Sequence, residues 1–124
     1  MRAGMVNFTM TAAAEWGRAG VRVNAVAPGW IASSGFDTYP DSVKPMLRSL
    51  KRHTPLQRLG TEAEVSAAIV FLLSPAAAFI SGETLRVDGA APNAKRHHDQ
   101  PPHDRSKPWD GFHRSKTPDV LRED

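Results

Sequence analysis

Cysteine is absent from the 124 residues. That excludes disulfides, thiolate nucleophiles and zinc sites built on sulfur, and it accords with a reducing compartment. No run of 18 apolar residues occurs, so no membrane-spanning helix and no membrane partner is expected. No basic-then-apolar leader is read at the start. The chain ends Arg122-Glu123-Asp124 rather than Ser-Lys-Leu, so the peroxisomal address is not read either. These absences give a cytoplasmic expectation. Charge of one sign is also scarce as a block. Residues 1–91 carry nine Lys and Arg against seven Asp and Glu, and residues 92–124 carry seven against six. A net charge of +3 spread this way does not point to nucleic acid as a partner.

What is present divides near Pro92. From Pro92 onward lie five of the ten prolines and four of the five histidines, with few aliphatic residues. Residues 1–91 therefore read as folded and 92–124 as an extended Pro/His-rich tail. His97-His98-Asp99 and His103-Asp104 contain metal-ligand types, but no spacing among them fixes a geometry, so no metal site is expected. Lys95-Arg96 with Trp109 and Phe112 has the residue types of a nucleic-acid contact, but the interleaved aspartates oppose it. A tail crossing a neighbouring subunit is the better reading.

Residues 3–18 read as a helix. Asn7, Thr11, Glu15 and Arg18 form one polar stripe, and the rest of the circumference is apolar, which predicts burial on more than one side. Gly17 and Gly20 suit its end. Val21–Ala27 reads as a strand that Pro28-Gly29 stops. Residues 31–39 read as loop. Ser42–Arg52 contains a short helix that Pro45 limits, and Pro55 and Gly60 bracket a turn. Thr61 and Glu64 have capping-box spacing, and Val65, Ala68, Ile69 and Leu72 follow in helical register, which predicts a helix over 62–73. Glu83–Val87 reads as a second strand ending at Asp88-Gly89. Alternating helices and strands define an α/β class. Two strands and two main helices do not close such a domain, so the expectation is the carboxyl half of a Rossmann-like, doubly wound parallel sheet with an extended C-terminal tail.

Three blocks carry a resemblance. Gly20-Val-Arg-Val-Asn24-Ala-Val-Ala-Pro28-Gly29, Pro55-Leu-Gln-Arg58-Leu-Gly60-Thr-Glu-Ala-Glu64-Val65, and Phe71 to Gly82 followed by Leu85-Arg-Val-Asp88-Gly89 occur in order over residues 2–89. They resemble the short-chain dehydrogenase/reductases. Arg2-Ala3-Gly4 and the tail segments Pro102-His103-Asp104 and Lys107-Pro108-Trp109 resemble the group around peroxisomal trans-2-enoyl-CoA reductase and its bacterial relatives. The family's glycine-rich phosphate loop, its tyrosine and its serine have no counterpart in these 124 residues. Tyr39 has Val43 four residues on, which does not restore the motif, and Asp88-Gly89-Ala90 replaces the usual double glycine.

The resemblance implies a nicotinamide cofactor, NADP(H) foremost with NAD(H) open, and reduction of an acyl-CoA type enoyl thioester. A generic 3-oxoacyl or alcohol oxidoreductase is the alternative within the fold, and a non-catalytic fragment docking on a partner chain is the alternative outside it. It implies that Pro28, Gly29, Ile31 and Ser33 meet the nicotinamide end of the cofactor, with Ile31 acting through its main chain. Arg2 falls at the family's lysine, beside the nicotinamide ribose. A guanidinium orients a neighbouring hydroxyl but does not deprotonate; the plain alternative is an N-terminal arginine with no such role. Trp30, Arg48, Lys51 and Arg52 fall in the variable substrate loop. The three cations, with His53, read either as a contact for an acyl-CoA phosphate or as a solvated helix face. Asn24 is expected to tie backbone beside the strand and Asp88 to shape a turn. Relatives use the helix corresponding to 3–18 at a subunit interface, which implies a homo-oligomer.

Overall fold

The computed structural model describes residues 2–93, 101–112 and 116–122, Arg2 as backbone only. Helix α1 is Arg2–Trp16. It tightens into a 3-10 turn over Gly17–Ala19 and closes at Gly20, whose φ of 76° is left-handed. The helix thus ends two residues before the expected Arg18, because Gly17 removes the side chain that favours a further α turn.

Strand β1 is Ala25–Pro28, shorter than the expected Val21–Ala27. The four residues before it find hydrogen-bond partners outside a ladder. The Val23 amide donates to Ser81 Oγ (3.2 Å), and the Gly82 amide donates to the Val23 carbonyl (2.7 Å). The Asn24 side chain donates to the Ile80 carbonyl (2.9 Å) and accepts from the Glu83 amide (3.0 Å). Asn24 therefore ties backbone together, as expected.

Helix α2 is Lys44–Ser49, with Pro45 in its first turn, where a missing N–H costs nothing. A 3-10 turn follows over Leu50–His53. Helix α3 is Glu62–Leu73, as the periodicity predicts. Its capping box is complete: the Glu64 amide donates to Thr61 Oγ1 (3.2 Å) and the Thr61 amide to Glu64 Oε2 (2.9 Å). At its other end, Arg22 donates to the Leu72 carbonyl (2.8 Å), one that a helix terminus leaves open, and to the Ile80 carbonyl farther on (3.3 Å).

The fold is α/β with parallel pairing. Strand β4, Thr84–Val87, pairs parallel with β1, Ala25 facing Thr84 and Pro28 facing Val87. A second parallel pair joins β2, Ile31–Ala32, to β3, Gly60–Thr61. It replaces the loop and turn read there, since two-residue strands show no periodicity.

The largest buried cluster lies between α2 and the tail. Leu47, Leu50 and Val120 are buried, with Phe36, Val43, Leu59 and Leu121 against them. The described tail residues run back over their own chain. Among the described residues of α1, Thr9 and Ala12 are buried, whereas Met5, Phe8, Met10 and Trp16 are exposed, so the helix has more apolar surface than these residues cover. The chain exposes 9083 Å²; a compact monomer of its mass exposes about 6,500 Å².

Thr61→Ala is expected to destabilise the chain by roughly 0.5–2 kcal/mol, the ordinary value of an N-cap. Thr61→Ser keeps the acceptor and should restore most of the loss in urea denaturation followed by circular dichroism.

Candidate functional site

Ligands of open α/β sheets sit beyond the carboxyl ends of parallel strands. Here β1 and β4 both end on that side, at Pro28 and Val87, and the segments that follow cross closely. A Cβ on Gly29 would lie 2.7 Å from the Asp88 Cα, so only glycine fits. The Gly29 amide donates to the Val87 carbonyl (2.9 Å), fixing the loop to the sheet end. Asp88 turns the chain, as expected, by accepting the Ala90 amide (2.9 Å). The Trp30 carbonyl accepts the Gly60 amide (2.9 Å), joining the loop to β3.

Side chains alternate along an extended strand, and β2 separates two clefts that way. Ile31 and Ser33, with Pro28, line a cleft of about 700 Å³ against Glu62, Ala63 and Ser66 at the start of α3. Ala32 lines a cleft of about 600 Å³ on the other side, together with Arg48, Lys51, Arg58 and residues of the tail. Trp30 faces a third space of about 410 Å³ with Thr54, Leu56 and Gly89. The expected substrate-loop residues are thus divided. Arg48 and Lys51 share the second cleft, Trp30 lies elsewhere, and Arg52, exposed, lines none of the three. The Arg2 backbone opens α1, and its side chain lies outside the described residues, as do Lys95, Arg96, His97, His98 and Asp99. Among the described residues no group of three or more potential metal ligands occurs, and no helix is long and apolar enough to cross a membrane.

The second cleft is held by one carboxylate. Arg58 donates twice to Glu64, Nη1 to Oε2 (2.8 Å) and Nη2 to Oε1 (2.6 Å). The Trp109 amide donates to Glu64 Oε1 (3.1 Å), and Thr61 Oγ1 donates to the Trp109 carbonyl (2.8 Å). Both polar groups of Trp109's backbone are thereby held. Arg58 Nε reaches Ser106 Oγ (2.9 Å), and His103 Nε2 lies 2.8 Å from the Pro55 carbonyl. Farther along, the Asp37 carboxylate accepts the Asp119 and Val120 amides (3.0 and 2.9 Å). Those two bonds, Val120 first, outweigh burial and hold the Asp37 carboxyl below its ordinary value, with Lys44 and Arg122 adding to the effect. Burial pushes the Glu64 carboxyl up, but the Arg58 guanidinium and the Thr61 and Trp109 amides together set it below the ordinary value. The Thr61–Glu64 pair was legible in the sequence, whereas Arg58, His103 and Lys107 stood only within the resembling segments and Arg122 carried no site expectation. Only the spacing of Arg58, six residues before Glu64, was there to be read.

A helix–strand–loop–helix–strand unit, parallel-paired and with its clefts at the strands' carboxyl ends, is part of a doubly wound α/β ligand-binding fold. Residues 1–90 match the family described as Enoyl-(Acyl carrier protein) reductase, and the chain belongs to the short-chain dehydrogenase/reductases. It is 42% identical over 90 residues to the "Probable 2,4-dienoyl-CoA reductase" of Bacillus subtilis (strain 168), covering 71% of this chain and 35% of that protein. It is 42% identical over 88 residues to the 3-oxoacyl-(acyl-carrier-protein) reductase FabG of Vibrio harveyi, with the same two coverages. Among solved structures, the citronellol catabolism dehydrogenase (AtuB) of Pseudomonas aeruginosa PAO1 aligns with a TM-score of 0.57 and 62% identity, over 73% of this chain and 32% of that one. The chain spans about a third of the length of the curated relatives it matches.

Glu64 generates a pH prediction. A carboxyl held below its ordinary value of 4.5 binds its proton less readily in the folded chain than in the unfolded one. Its contribution is therefore complete above that value and lost as pH falls through it. Glu64→Gln should lower stability near neutrality by about 1–3 kcal/mol and flatten the decline on acidification. Urea unfolding at intervals from neutrality to below the glutamate range measures both.

Proposed function

We propose that this chain is the carboxyl lobe of an NADP(H)-dependent reductase that acts on an enoyl thioester of the acyl-CoA type. The supporting observation is the loop over 28–33 with a cleft on each side. The cleft beside Pro28, Ile31 and Ser33 has a volume within the range of small-molecule sites, an apolar wall and a hydroxyl. Those features suit the nicotinamide end of the cofactor. Bound there, NADPH supplies the hydride that adds at the β-carbon of the enoyl thioester. Pro28 and Gly29 hold the loop's main chain against the sheet end, and Ser33 offers a donor and acceptor. The groups that stabilise the enolate and return a proton to the α-carbon belong to a part of the fold that these 124 residues do not supply. A cytoplasmic location goes with this reading.

A second reading is favoured by one observation, the 62% identity to a citronellol catabolism dehydrogenase. On that reading the parent oxidises an alcohol.

One experiment separates them. The chain is assayed alone and mixed with the amino-terminal portion of that dehydrogenase, following NADPH oxidation with crotonyl-CoA and NADP⁺ reduction with citronellol. The expected result is no turnover alone and faster turnover of crotonyl-CoA than citronellol in the mixture. Turnover of about 1 s⁻¹ or more by the chain alone, an ordinary enzyme rate, would remove the lobe reading. Preference for citronellol selects the second reading, and an inactive mixture overturns both.

The parent also associates, on this proposal, as a homo-oligomer through the helix of residues 3–18. Met5, Phe8 and Trp16 give α1 an exposed apolar face of the kind that marks association. Sedimentation velocity over a tenfold concentration range should show association that rises with concentration. A compact monomer throughout would overturn the assignment.

A further inference from the structure

We propose that the cleft between α2 and the returning tail binds the phosphates of coenzyme A, an inference that rests on the thioester reading. The cleft draws cations from three separate parts of the chain. Arg48 and Lys51 come from α2 and the turn after it, Lys107 from the first stretch of tail, and Arg122 from the second. Arg58 also lines it, but Glu64 neutralises that guanidinium with two short bonds.

Among the described residues Asp104 is the one carboxylate on the lining. It stands 3.8 Å from Lys107, and both side chains are largely exposed, so the pair leaves the ammonium able to meet another anion. Arg122 pairs with Asp119 (2.8 Å), which is not part of the lining. Arg48 is placed rather than loose. Its Nε donates to the Val120 carbonyl (2.8 Å), which spends one of the five N–H donors of a planar guanidinium. Cations gathered along one concave surface raise the local concentration of anions.

The cleft's volume of about 600 Å³ suits a small molecule. Ala32 is part of its lining, and Ile31 and Ser33 on either side of Ala32 line the neighbouring cleft. A carrier whose phosphates rest among Arg48, Lys107 and Arg122 thus has its thioester arm beginning beside the loop assigned to the nicotinamide. The tail, which the reaction itself does not require, becomes the wall that reads the carrier.

Calorimetric titration of the full chain with coenzyme A and with 3′-dephospho-coenzyme A tests this. Coenzyme A is expected to bind about tenfold more tightly than the dephospho form, the size of one charge-assisted contact, and more weakly as salt rises. The double variant Lys107→Gln/Arg122→Gln changes two exposed side chains and should abolish that preference while its circular dichroism spectrum stays unchanged. Absence of coenzyme A binding, equal affinity for the two compounds, or an unaltered preference in the double variant overturns the proposal. Coenzyme A carries no reducible bond, so the result is independent of whether an enoyl thioester is turned over.

Discussion

The Glu64 carboxylate is the constraint on which the rest of this structure depends. It completes the N-terminal cap of α3, fixes the Arg58 guanidinium, and holds the tail through the Trp109 amide. Each bond would be modest alone. Placed on one largely buried side chain they couple three segments, so the position of the tail follows the position of the helix start. Removing one partner of such a pair leaves the other charge without compensation, which costs more than the pair itself contributes. The cleft beneath the tail exists because Glu64 keeps its walls in register.

A second constraint acts at the sheet end. Gly29 and Asp88 approach so closely that the two strand-end segments behave as one unit. The turn that makes this possible carries strain. Ala90 has a φ of 65°, a region where a Cβ costs about 1–2 kcal/mol. The related sequences place a second glycine there by the resemblance described above. This chain accepts the cost, and the Asp88 carboxylate, by accepting the Ala90 amide, offsets part of it.

The elements legible in the sequence were those whose signal repeats along the chain. Helix α3 showed itself through Thr61, Glu64 and the run Val65, Ala68, Ile69 and Leu72, and its bounds match the periodicity. The Pro28-Gly29 stop at a strand end located the loop between the clefts. Strand β1 was read too long because Asn24 and Ser81 side chains stand in for ladder bonds. The course of the tail was not legible. It is held largely through main-chain atoms, the Trp109 amide and carbonyl and the Pro55 and Val120 carbonyls, which carry no residue signature. Arg52 parted from Arg48 and Lys51 because the chain tightens into a 3-10 turn after Ser49, which changes the angle between successive side chains.

The parallel pairing of β1 with β4 also sets the order in which this chain acquires its shape. Asn24 waits for Glu83, 59 residues later, and Asp37 waits for Val120, 83 residues later. Closing loops of that length costs entropy before any pairing repays it, so folding rates fall as such separations grow. On a ribosome emitting about 5–20 residues per second, α1 emerges seconds before the strand that anchors its neighbour. Throughout that interval Phe8 and Trp16 stay exposed to the cell, which makes this segment a natural site for chaperone capture.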